Sequence, residues 1–245
     1  MKTSNKLVLF GLVLILATMV WFDLIVRSAY FAGDYKKPFR EFVSLNFKNF
    51  STINLNASTA ANIIVRQGPF DVKIEPYGKN YVKVTQNGTT LNIDAAFSGS
   101  YQNPRYDYVM LITCPSLVKF NTDARYMAGD VQITDTLAAV DFYWRPSIIR
   151  GFKQDSLAIT ARHASNIILT GNTIKNLKAE VGINEGSASD ITITGDNKFE
   201  KADLSLLNKG RLRLQGGDIP NLQYHLADSA QLIINGSSRK LIDKQ

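Results

Sequence analysis

From Phe47 onward the chain alternates apolar and polar positions in short runs: residues 51–56 (STINLN), 71–75 (DVKIE), 81–85 (YVKVT) and 90–94 (TLNID). Val72 and Ile74, Val82 and Val84, and Leu91 and Ile93 occupy every second position, which marks strands with one buried face. The interruptions carry turn chemistry at residues 67–69 (QGP), 77–80 (YGKN) and Asn87-Gly88. Asn-Gly between two alternating runs predicts a hairpin. A polar loop over residues 98–105 (SGSYQNPR) separates these strands from further runs at 106–113, 117–121 and 129–134. No segment from 47 to 240 sustains a 3.6-residue apolar period, so an all-β domain is expected.

Toward the C-terminus the pattern repeats. Residues 157–171, 177–195, 202–216 and 222–236 each have two alternating runs around a polar break and end in glycine. The closing residues Gly171, Gly195, Gly216 and Gly236 are 24, 21 and 20 residues apart. A unit of that length cannot bury its own apolar face and must stack on its neighbours. The pattern therefore predicts a β-helix or β-solenoid-like domain with an N-terminal meander. Residues 137–155 read as a degenerate repeat, with its strand at 139–144.

The first thirty residues have a different pattern. Residues 7–22 (LVLFGLVLILATMVWF) contain no charge, and residues 24–26 extend the run past Asp23. About 20 apolar residues in a helix cover the roughly 30 Å of a hydrocarbon core. Leu7 and Leu14 belong to the apolar run, and Trp21 and Phe22 lie where an aromatic belt would meet the headgroups. A cleaved signal peptide would use Lys2 and Lys6 as its basic start and residues 28–29 as its cut. The length of the run and the poor small-x-small pattern favour a retained anchor instead. Arg27, Lys36, Lys37 and Arg40 follow the segment, so charge alone does not fix its orientation. A short tail ahead of a folded β-domain suits an N-terminus inside and a domain outside. The expected order is an anchor at 1–30, a tether at 31–46 and the β-domain at 47–240. The expected location is a bacterial inner membrane with the domain in the periplasm, or export to the cell surface.

Composition narrows the function. With 45% apolar and 20% charged residues, the chain can bury a large core. Its net charge of +7 is dispersed, with no basic run longer than a pair, which argues against a nucleic-acid reader. The single cysteine, Cys114, excludes an intrachain disulfide, and its apolar surroundings predict burial.

Candidate chemistry is sparse. His163 and His225 fall in polar breaks, lack a metal-binding spacing and read as exposed turn residues. Asp190, Asp196 and Asp203 are the carboxylates that an acid–base enzyme could use, although Asp190 and Asp196 also read as turn residues. Residues 215–217 (QGG) lack the lysine and helix of a phosphate loop. Residues 141–146 (DFYWRP) place Tyr143 and Arg145 on one side of a strand and Phe142 and Trp144 on the other. Tyr143 and Arg145, with Tyr101 from the polar loop, form the candidate ligand surface for a glycan or an envelope protein. No catalytic residue, metal ligand or cofactor is expected.

Several segments in order resemble the auto-transporter adhesin head GIN domain family of Bacteroidetes-type envelopes. They are residues 47–55 (FKNFSTINL), 63–68 (IIVRQG) followed by 72–75 (VKIE), 89–93 (TTLNI) and 185–191 (EGSASDI). The resemblance spans roughly 47–236, while the turns at 122–125, 162–165, 208–210 and 227–229 lack the family's glycine pair. It implies an exported, β-helix-like domain. The expected function is a non-catalytic, membrane-tethered envelope domain that binds or serves as a structural surface. The alternative is a carboxylate-dependent enzyme acting on envelope polysaccharide.

Overall fold

The computed structural model describes residues 3–33, 38–99, 108–136, 146–186, 188–236 and 238. It divides into two compact units, Met1–Glu41 and Phe42–Gln245. The first contains helix α1 (Thr3–Phe31), whose apolar stretch Thr3–Ser28 has a mean hydropathy of 2.5. Those 26 residues extend about 39 Å, enough to cross a hydrocarbon core. Leu7, Leu14, Trp21 and Phe22 are all exposed on the helix surface. An apolar helix whose side chains are exposed favours lipid over water.

Two parallel ladders organise the second unit. The first ladder aligns β6 (Thr90–Phe97), β2 (Thr52–Leu55), β8 (Lys119–Thr122), β12 (Lys153–Ala161), β14 (Thr173–Val181), β15 (Asp190–Leu206) and β17 (Asn221–Leu226). The second aligns β7 (Met110–Cys114), β3 (Ile63–Gln67), β11 (Ser147–Arg150), β13 (Asn166–Thr170), the start of β15, β16 (Arg211–Asp218) and β18 (Gln231–Ile234). Antiparallel strands are added at one side. β5 (Val82–Asn87) forms the Asn87-Gly88 hairpin with β6, β4 (Asp71–Ile74) pairs with β7, and β1 (Val43–Leu45) pairs with β4. A second hairpin joins β9 (Arg125–Ala128) to β10 (Val131–Thr134).

Alternation puts apolar residues of each rung in line with those of the next. Leu91, Ile53, Phe120, Ile159, Ala179 and Leu204 are successive partners on the first ladder, and each is essentially fully buried. Ile112, Val65, Ile149, Leu169, Ile193 and Leu214 do the same on the second. Both rows belong to one apolar cluster, so the sheet curls around a shared core. Burying each of these side chains except the small Ala179 contributes about 1.5–3 kcal/mol relative to leaving it exposed.

Three features depart from the sequence expectation. The meander is partial: β1, β4 and β5 pair antiparallel, whereas β2, β3, β6 and β7 enter the parallel ladders. Rung order also departs from chain order. β2 and β3 lie between β6 and β8 and between β7 and β11, so an early segment becomes an interior rung. Finally, Gly195 and Gly216 do not close their repeats but lie within strands β15 and β16. β15 continues through a register shift between Gly195 and Lys198, where it passes from the second ladder to the first. The strand expected at 139–144 lies outside the described residues, apart from which β11 and β12 account for most of 146–155.

Candidate functional site

Outward positions of the two ladders determine what the domain can touch. On the first ladder Asn92, Asn54 and Asn121 stack into a column of amides. Asn54 Nδ2 donates to Asn92 Oδ1 at 2.8 Å, and Asn121 Nδ2 donates to Asn54 Oδ1 at 2.7 Å. This column uses up its central donors and acceptors internally and is structural.

A groove of about 470 Å³ runs along the bends of β12, β14, β15 and β16, over the buried side chains of Ile174 and Phe199. Strand register places Lys153, Thr173, Lys198 and Asp218 in one line. Asp155, Lys175 and Glu200 lie along the same groove. The Lys175 ammonium meets Asp155 at 2.7 Å, and this hydrogen bond raises the lysine above its ordinary pKa. Three carboxylates thus share one groove, each interleaved with lysine. Among the described residues, no group of three or more His, Cys, Asp or Glu side chains could hold a metal ion.

A second groove, of about 450 Å³, is lined by Arg66, Gln67, Arg150, Gly151, Thr170, Gly171 and Asp196. Its two arginines are direct partners on the parallel strands β3 and β11. Arg66 Nε donates to Thr113 Oγ1 at 3.3 Å, and neither guanidinium forms an ion pair with a described residue. Gln67 is committed to backbone: its amide donates to Pro115 O at 2.9 Å and accepts from Lys153 N at 3.1 Å. On the far side Thr170 Oγ1 donates to Asp196 Oδ2 at 2.8 Å. Partial burial acts to raise the Asp196 carboxyl, but hydrogen bonds from Thr194, Gly171 N–H and Thr170 outweigh it and leave the group below its ordinary value. Asp196 is therefore an anionic acceptor at neutral pH.

The sequence candidates fall as follows. Asp190 is not a turn residue; it begins β15, is 1% exposed and accepts from Arg213 Nε at 2.7 Å. Asp196 is likewise within β15 rather than in a turn, about 20 Å along the strand from Asp190. Asp203 is exposed on the first ladder, opposite Lys178 and Gln223. The three carboxylates are not brought together.

His163 is not an exposed turn residue. It is partly buried between β12 and β13, with Nδ1 2.5 Å from Asp123 Oδ1. Asp123 also accepts from Arg125 at 2.7 Å and from Ala124 N–H at 2.8 Å, so it ties the β8–β9 turn to the β12–β13 turn. His225 is exposed on β17, a strand and not a break. Cys114 is buried as expected, and burial pushes its thiol up to about 12. Tyr143, Arg145 and Tyr101 lie outside the described residues. Sequence reading passed over the Arg66–Arg150 pair, because register alone joins residues so distant along the chain.

No protein-family model matches the chain, and no curated protein matches it. Among solved structures, a "putative adhesin" from Bacteroides fragilis NCTC 9343 aligns with a TM-score of 0.50 at 14% identity. The alignment covers 81% of this chain and 99% of that one, which indicates a shared mostly-β fold. A "putative lipid binding protein" from Parabacteroides distasonis ATCC 8503 aligns at 13% identity over 80% of this chain and 94% of that one, with a TM-score of 0.32. A "putative adhesin" from Parabacteroides merdae ATCC 43184 aligns at 9% identity over 79% and 95%, with a TM-score of 0.28.

Proposed function

We propose that this chain is a membrane-tethered, non-catalytic binding protein of a bacterial envelope. In this reading residues 1–30 are a retained anchor, 31–46 a tether and 47–240 a β-solenoid-like domain of the head GIN type that faces the periplasm or the cell surface. One observation carries the reading: in-register parallel rungs, stacked over a shared core, present long outward rows of polar side chains. Such a stack offers an extended surface to a glycan or an envelope protein. The exposed apolar helix supplies the attachment. Tyr143, Arg145 and Tyr101 are proposed contact residues on sequence grounds. The name given to the Bacteroides fragilis neighbour, an adhesin, agrees with a binding role and adds nothing about the ligand.

The competing reading is an enzyme acting on envelope polysaccharide. It draws on Asp155, Glu200 and Asp218, which line one groove. The Asp155–Lys175 pair and the interleaved lysines give that groove the character of a charge-balanced surface instead.

Two measurements decide. Protease treatment of spheroplasts should digest the domain without lysis; protection until lysis would contradict the proposed orientation. Immobilised protein incubated with an envelope polysaccharide fraction should retain saccharide and release it unshortened. Shortened chains would favour the enzyme.

A further inference from the structure

The two grooves differ in electrostatic balance. Along the bends, lysines alternate with Asp155, Glu200 and Asp218, so local charge is offset within the protein. In the other groove Arg66 and Arg150 stand on adjacent parallel strands, about 4.8 Å apart at the backbone, with no acidic partner between them among the described residues. Like charges directly across a ladder repel and cost stability unless an anion bridges them. Both side chains are exposed, which leaves their guanidinium forks available for a planar oxyanion.

The remainder of the groove constrains what carries that oxyanion. Gly151 and Gly171 occupy neighbouring turns, joined by the Gly151 N–H to Thr170 carbonyl hydrogen bond. Neither projects a side chain, and a methyl group at Gly151 would meet nothing within 4 Å. The surface beside Arg150 therefore carries no side chain at these two turns, and a methyl group at Gly171 would touch only the Asp196 carboxylate, at 3.5 Å. Beside it Thr170, the register partner of Arg150 on β13, donates to ionised Asp196 of β15. The Asp196 oxygens already accept from Thr170, Thr194, the Gly171 N–H and its own N–H, and its charge repels a compact dianion such as phosphate, while the Thr170 hydroxyl that donates to it keeps acceptor lone pairs. Anion-seeking arginines, two turns without side chains and the Thr170 hydroxyl as an acceptor, with the fixed charge of Asp196 behind it, match a sugar ring bearing one carboxylate.

Resting on the binding role proposed above, we infer that this groove is the saccharide site and that it takes a uronate residue of an acidic polysaccharide. Arg66 and Arg150 hold the carboxylate, the ring lies over Gly151 and Gly171, and a ring hydroxyl donates to Thr170 Oγ1.

The test uses the full chain in detergent, with a galacturonate oligomer, its methyl ester and inorganic phosphate as probes in calorimetric titrations. The oligomer should bind and the neutral ester should not. Arg66→Gln and Arg150→Gln should each weaken binding roughly ten-fold or more, as loss of a charge-assisted hydrogen bond does. Lys198→Gln, an equal charge loss in the other groove, should leave it unchanged. Thermal unfolding of each variant confirms that it is folded. Equal binding by the arginine variants, an equal loss with Lys198→Gln, or displacement by equimolar phosphate would each overturn the inference. Absence of oligomer binding would also overturn it, and retention of another envelope saccharide would leave the broader binding role standing.

Discussion

The side-chain amide of Asn54 donates to Oδ1 of Asn92 at 2.8 Å across two parallel strands, although 38 residues separate the two. Asn54 also accepts from Asn121, so it is the middle of a three-amide column while Asn92 is its end. Asn54→Ala removes two part-buried hydrogen bonds and strands two partners; Asn92→Ala removes one. With about 0.5–1.5 kcal/mol for each bond, Asn54→Ala should cost about 1–3 kcal/mol and roughly twice the Asn92→Ala loss. Urea unfolding of both variants checks this, and equal losses would count against β2 lying between β6 and β8.

Gly182 controls the approach of two stacked turns. It has φ +79°, and a methyl group there would clash with the Leu207 carbonyl oxygen. Gly182→Ala should therefore cost more than the roughly 1–2 kcal/mol of a left-handed alanine alone. Gly151→Ala, at φ +74° in open space, should cost only that conformational amount. Thermal melts that rank Gly151→Ala as the more damaging would contradict the close turn packing.

Asp190 makes stability depend on pH in a defined direction. Burial raises its carboxyl above the ordinary value of 3.8, with hydrogen bonding and charge from Arg213, charge from Arg211 and a hydrogen bond from Thr192 opposing the shift. A raised folded value means that the folded state holds the proton more tightly. Its stabilising contribution is complete below the unfolded value and is lost as pH rises through the folded one. Asp190→Asn cannot ionise and still accepts from Arg213. Its stability relative to the parent should improve as pH rises from about 4 to about 7. Denaturant titrations across that window would contradict this if the difference stayed flat or fell.

The strands were largely legible because alternation is local: Ile53 and Leu55, or Leu91 and Ile93, announce their buried face without reference to anything distant. The apolar helix was legible for the same reason. Rung order was not, because nothing near Ile53 states which strand edges will flank it; its partners on either side, Leu91 and Phe120, lie far along the chain. Gly195 misled because a strand bending between ladders needs a small residue as much as a turn does: a Cβ there would meet the Gln215 carbonyl oxygen at 3.0 Å. Asp190 misled because polarity suggested a turn, while its partner Arg213 lies 23 residues away. The arginine groove was hidden for a related reason, since Arg66 and Arg150 become neighbours only through the interior placement of β3.

That placement underlies both the stack and the proposed saccharide site. It is tested most directly by disulfide cross-linking in a Cys114→Ala background. Three cysteine pairs replace residues 66 with 150, 66 with 113, and 113 with 150. Strands β7, β3 and β11 lie in that order, so the first two pairs are neighbours at about 4.8 Å and the third spans two spacings. Mild oxidation should close the 66–150 and 66–113 pairs and leave 113–150 open. Closure of 113–150, with residue 66 unreactive toward both, would remove β3 from between them and contradict the account.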